Sequence, residues 1–303
     1  MARSPVLPRS LDDPTGLDAA ERRAIADFAD RLGKCKAAYL DMLDKIEFDT
    51  FVTNATRYEF RTDPANLGDM FEQAGMIVDA VMLEGGARHL WFSIDYVLPA
   101  YQKGTGATFA NLSAQSAEYK AARVNLQNLF SSAAYQRRIM FLQAREFEEM
   151  QGLSADVKKE LSRTLAEGLA RGKGPDEIAD MITDRTDVLE SRANTIARTE
   201  TSQAYKHARR EEAEQAEQEF GLRSLMLHIS AMSPTTRKTH AMRNGTLHTR
   251  EEQADWYAED ANAINCKCSE IETLVGPDNK PLAPGIVDKA QSRPVQYAGS
   301  EDD

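Results

Sequence analysis

Apolar residues between Ala20 and Ile46 recur at steps of three and four: Ile25, Phe28, Leu32, Cys35, Tyr39, Met42 and Leu43. That spacing places them on one face of an α-helix, so the pattern predicts a helix that begins near Asp18 and runs to about Lys45. Cys35 falls on this face and is expected to pack as a small hydrophobe. Asp63-Pro64 precedes a second predicted helix, Asn66 to about Glu84, which Gly85 and Gly86 end. The stretch from Trp91 to Tyr101 is aromatic-rich and carries Pro99, and Gly104 and Gly106 after it read as a flexible loop. Helical periodicity resumes near Ser113 and reaches Met150, through Tyr119, Val124, Leu126, Leu129, Phe130, Ile139, Leu142 and Phe147. Gly152 and Ser154 punctuate the chain, and Ser154 suits the N-cap of a shorter helix to Leu169. Gly172 to Pro175 reads as a turn, with Pro175 at a first helical position. A helix from Asp176 to about Arg185, a polar joint at Asp187 and a helix from Val188 to Phe220 follow, the last stopped by Gly221.

Beyond Gly221 the helical period is lost. Leu225 to Ile229 reads as a short strand, Pro234, Pro277 and Pro281 mark turns, and Asn244-Gly245 is a tight-hairpin signal. The fold class is therefore mainly α: a multi-helix body with a small α+β C-terminal unit. The expected divisions are an extended N-terminal arm over 1–17, a helical body over 18–221, the small unit over 222–275, and a flexible tail over 276–303.

Bulk composition narrows the function classes. The 303 residues carry a formal net charge of −11, whereas a chain built to grip phosphate backbones is usually basic. The longest apolar run, Met76 to Leu83, is interrupted by Asp79 and falls far short of the roughly 20 residues a membrane span needs. The opening Met-Ala-Arg-Ser-Pro has no apolar stretch after its Arg, so no secretory signal is expected there. Three cysteines, Cys35, Cys266 and Cys268, do not make a disulfide framework; they fit free thiols or part of a metal site.

Four motifs occur in order in the C-terminal half. The long helix carries Arg198, Thr199 and Glu200 among alanines, with Ser202 and Tyr205 after them. A strand follows, then Arg237 and His240, then Asn244-Gly245, and the series closes on Asn265, Cys266, Lys267 and Cys268. This order resembles the head-morphogenesis domain of tailed bacteriophages, the Mu F-like or SPP1 gp7-like family. That domain pairs an Arg-Thr-Glu helix with a downstream Arg-x-x-His, a glycine turn and a terminal Asn-Cys-Arg-Cys. Two positions depart from it: His228 stands where a Trp is expected, and Lys267 where Arg is usual. The resemblance implies a minor capsid protein of the phage head. It would bind the portal protein, extend to the major capsid protein, and sit in the virion interior near the portal after assembly in the host cytoplasm. It also implies neither a cofactor nor an enzymatic activity.

The same residues allow other chemistry. Arg198, Thr199, Glu200, Arg237, His240, Asn244, Gly245, Asn265, Cys266 and Cys268 are expected to link structural elements. Arg198 is expected to clamp carbonyls around Asn244-Gly245 or Asn265, because a guanidinium offers five donors in a fixed fork. Lys206, Arg209 and Arg210 form the best basic patch and are candidate contacts to packaged DNA, weak and non-specific beside the glutamates that follow. His240, Cys266 and Cys268 are the candidate metal ligands, with His228 or His248 as a fourth, and packing is favoured over metal because Cys-x-Cys is not the usual zinc spacing. A metal-dependent hydrolase or nuclease using these three residues, or an unrelated helical scaffold, are the alternatives. The zinc-deaminase, zinc-protease, P-loop, Gly-x-Ser-x-Gly and dinucleotide-binding patterns are all absent from the sequence.

Overall fold

The computed structural model describes residues 4–52, 56–123 and 125–293. Its architecture is mainly helical, with a small α+β portion and two antiparallel sheets. Helix α1 spans Asp18–Leu43, as its periodicity predicts, with Phe28, Leu32, Cys35 and Tyr39 fully buried. A hairpin of β1 (Phe48–Val52) and β2 (Thr56–Phe60) follows, which the polar sequence around it did not announce. Helix α2 is Pro64–Met82; Asp63 caps it by accepting from the backbone N–H groups of Ala65 and Asn66. A short α3 (Gly86–His89) and a π-turn at Ser93–Val97 lead into α4, Leu98–Gln115.

Gly104 and Gly106 are helical, contrary to the loop expected of them. A Cβ on Gly104 would lie 2.3 Å from the Tyr205 carbonyl oxygen, so glycine here permits a close helix approach and is not a hinge. The helix expected from Ser113 to Met150 is three pieces: the end of α4, α5 (Ala117–Ala122) and α6 (Leu126–Phe130), before α7 starts at Ala133. Val124 lies outside the described residues. Helix α7 runs unbroken to Ala170, through Gly152 and Ser154, because Leu153, Val157 and Leu161 continue its buried face. Likewise α8 is one 46-residue helix, Pro175–Phe220, with no joint at Asp187. Buried Thr186 is accommodated there by bonding back to the Ile182 carbonyl at 2.8 Å.

The remaining elements are β3 (Ser224–Ile229), α9 (Lys238–Met242), β4 (Leu247–His248), α10 (Arg250–Ala258), β5 (Ser269–Leu274) and α11 (Ile286–Gln291). The sheet order is β4-β3-β5, antiparallel throughout. Asn244-Gly245 turns the chain from α9 into β4 and does not join two strands of a hairpin. The tail expected to be flexible is ordered as far as 293: Val275 bridges Pro281, and α11 packs through Ile286 and Ala290 on Leu227, Ile229 and Ile271. Among the described residues no helix is long and apolar enough to cross a membrane.

The chain forms two compact units, each assembled from separate stretches. One comprises residues 23–94 and 140–196. Its core places Phe28 against Trp91 and Phe92, with ring centroids 4.8 and 5.1 Å apart. Asp79, the residue that interrupts the apolar run of α2, accepts from Ser154 and Lys158 of α7, both at 2.7 Å. The other unit comprises residues 1–22, 95–139 and 197–303, and it holds the site. Gly221 is thus the end of a helix and not the border of a compact unit. Residues 4–17 contain no helix or strand, yet they are tied down within this unit: Val6 N–H donates to Asn111, and the Leu11 carbonyl accepts from Met232.

Candidate functional site

Strand β5 has alternating character: Glu270 and Glu272 interleave with Ile271 and Thr273. Since successive side chains of a strand point to opposite faces, both glutamates face one side, and Ile271 faces α11 on the other. Both sides are buried, so the carboxylates must find partners. They find them on α8. Arg209 forms a bidentate pair with Glu272, Nε to Oε1 at 2.9 Å and Nη2 to Oε2 at 2.6 Å, and Arg210 donates to both oxygens of Glu270 at 2.8 and 3.0 Å. Glu272 also accepts from Thr108 and Asn111 of α4. Burial raises the Glu270 carboxyl above its ordinary range, opposed by Arg210, Lys206 and Arg209. Asn111 and Gln115 further donate to the Glu272 carbonyl, and Gln115 accepts from Leu274 N–H, so side chains of α4 cover the free edge of β5.

The side chains of Lys206, Arg209 and Arg210, the candidate DNA contacts, are thus buried and paired inside the protein. Lys206 is fully buried, donates to the Cys266 carbonyl at 3.0 Å, and lies over the Tyr257 ring. The sequence signal that could have revealed this is the acidic, alternating β5 itself.

Arg198 does not make the carbonyl clamp expected of it. It is exposed on α8 and has no hydrogen-bond or ionic partner among the described residues. The clamp is Arg237, the N-cap residue of α9, which donates to the carbonyls of Ala261, Asn262 and Ile264. This holds a loop in which Asp260, Ala261 and Asn265 adopt positive φ. Thr199 Oγ1 accepts from Asn265 N–H at 3.1 Å, an inter-element link of the kind expected, while Glu200 is half-buried beside it on α8. Asn244 accepts from Ser230 N–H and donates to the Ala290 carbonyl. Gly245, at φ +75°, donates its N–H to the His228 carbonyl, and a Cβ there would meet Gln291 at 2.4 Å.

The loop and α9 bring His240, Cys266 and Cys268 together, all buried. His240 Nδ1 lies 3.4 Å from Cys268 Sγ and 3.5 Å from Cys266 Sγ. The Cys266 thiol is held well below its ordinary range by a hydrogen bond from Cys268, with Lys206 and His240 adding to the effect; Cys268, as donor, is pushed up. His240 Nε2 is buried with no hydrogen-bond partner, its ring set edge-on to Trp256 at 4.7 Å. The cluster lines a cleft of about 350 Å³ together with Arg198, Thr236 and Arg237. His228 and His248 do not complete it. His228 pairs with Gln253 at 2.9 Å, its pKa driven down to about 3 by burial, and His248 pairs with Thr246 at 2.7 Å.

No curated protein and no solved structure matches the chain. Residues 159–271, a little over a third of the chain, match the family model described as phage Mu protein F like protein; over α8, β3 and the Cys-His cluster the chain is thus similar to proteins of phage head morphogenesis.

Proposed function

We propose that this chain is a structural minor protein of a tailed-phage head, acting during morphogenesis by binding the portal protein and the inner head. The observation that carries this reading is the family match over 159–271. It contains the Arg210–Glu270 pair and ends one residue short of Glu272, the partner of Arg209, so it covers most of the segment in which α8 and the sheet are locked together. Its strongest charges are consumed in fixing one element on another, as suits a rigid adaptor more than a surface that must reorganise around a substrate. Lys206, Arg209 and Arg210 are not assigned to DNA, since all three are buried.

Co-expression with the portal protein of the same phage, followed by affinity capture of either, tests the reading. Capture of a stoichiometric complex supports it. A portal that assembles but does not retain the chain, at physiological salt, overturns portal binding.

A further inference from the structure

We infer that His240 Nδ1, Cys266 Sγ and Cys268 Sγ are three ligands of a tetrahedral zinc site whose fourth position opens on the cleft and takes water.

Distance is the first argument. A tetrahedral Zn²⁺ with Zn–S of about 2.3 Å and Zn–N of about 2.05 Å sets its nitrogen and sulfur ligands about 3.6 Å apart. The observed separations, 3.4 and 3.5 Å, match that figure with both sulfurs at once, and all three donor atoms lie within 4.8 Å of one another. As a ligand set, the three atoms converge on one point.

Preorganisation is the second. The backbone carrying the cysteines is fixed from three sides, by Thr199 at Asn265 N–H, Lys206 at the Cys266 carbonyl, and Arg237 at three carbonyls just upstream. His240 rides on α9, whose N-cap is that same Arg237, and its own carbonyl accepts from Ser230 Oγ. One guanidinium thus sets the histidine and the cysteine loop relative to each other, which is how supporting residues hold a metal's ligands.

The third is chemical choice and access. Two thiolates and an imidazole select a thiophilic divalent cation, and two cysteines plus one histidine is a known three-ligand set with an open fourth position. The ligands are almost fully buried but border the cleft, which supplies both an entry path and room for the fourth ligand. On binding, each thiol gives up its proton to solvent and both electrons of each metal–ligand bond come from sulfur or nitrogen, so no redox partner is required.

The test uses the full chain, purified under reducing conditions without chelator. Elemental analysis is expected to find one zinc per chain. Replacement by Co²⁺ is expected to give the intense visible bands of a tetrahedral ion with thiolate charge transfer. These bands should persist in Cys35→Ala and disappear in Cys266→Ala and in Cys268→Ala. In the unsubstituted chain, a thiol reagent under native conditions should modify Cys266 and Cys268 only after zinc is chelated, a reading that holds even where a variant fails to fold. Wild-type protein that takes up no zinc from an equimolar solution, or a spectrum lost with Cys35, overturns the assignment. So does a Cys266–Cys268 disulfide as the native form.

Discussion

Removing the Arg209 guanidinium should destabilise the protein more than any exposed charge change, and Arg209→Met isolates the effect. Methionine keeps the length and apolar stem but deletes three hydrogen bonds: two to Glu272, at 2.9 and 2.6 Å, and one from Nη1 to Tyr205 Oη at 2.9 Å. Arg209 is 5% exposed at its side chain and Glu272 is 0% exposed, so water cannot replace what is lost. Breaking a buried pair by removing one partner costs about 3–5 kcal/mol, because the other charge stays buried. Thr108 and Asn111 still donate to Glu272, which places the expected loss near the lower end, about 3 kcal/mol. Glu272→Gln in the Arg209→Met background removes the stranded charge and should recover most of it. Arg209→Lys keeps a charge but not the fork, and should fall between. Urea denaturation of the wild type, Arg209→Met, Glu272→Gln and the double variant gives the cycle directly. If Arg209→Met costs less than about 1 kcal/mol, or the double variant is no better than the single, the pairing does not hold β5 on α8.

Glu21, buried in the first turn of α1, carries a carboxyl that burial raises from 4.5 to about 7, against the pull of Lys267. The neutral form is the one folding favours: below pH 4.5 the group is neutral in both states, and between 4.5 and 7 the unfolded chain loses its proton first. Stability should therefore fall by up to roughly 3 kcal/mol as pH rises through that window, and Glu21→Gln should abolish this fall in denaturation curves. Arg198→Ala is expected to change stability by less than about 0.5 kcal/mol, whereas Arg237→Ala should cost about 1–2 kcal/mol and speed proteolysis between 259 and 265. Equal effects from the two would contradict the roles given to them. Gly104→Ala forces a methyl into the Tyr205 carbonyl and should lower stability by about 1–3 kcal/mol in thermal melts; a neutral result would mean α4 can move away from α8.

What was legible in the sequence was whatever a local period or a local turn dictates. The α1 face, the Pro175 start of α8, the stop at Gly221 and the β3 strand all rest on residues within a few positions of one another. Gly152 and Gly104 misled because an isolated glycine weakens a helix by only about 1 kcal/mol, which packing on either side outweighs. The functional segment was visible as motifs, but its pairings were not. Arg209 meets a glutamate 63 residues away, and a run of Lys206, Arg209 and Arg210 beside five glutamates looks solvated until β5 is seen to be its counterpart. The choice between Arg198 and Arg237 as clamp turned on which guanidinium faces the 260–265 loop, a matter of tertiary approach that spacing alone does not encode.

Quantitative mass spectrometry of purified heads tests whether this chain belongs to the phage head. Its peptides should co-purify with intact heads, at a copy number near that of the portal and far below that of the major capsid protein. A chain that is abundant in the infected-cell lysate yet absent from assembled heads would contradict that membership.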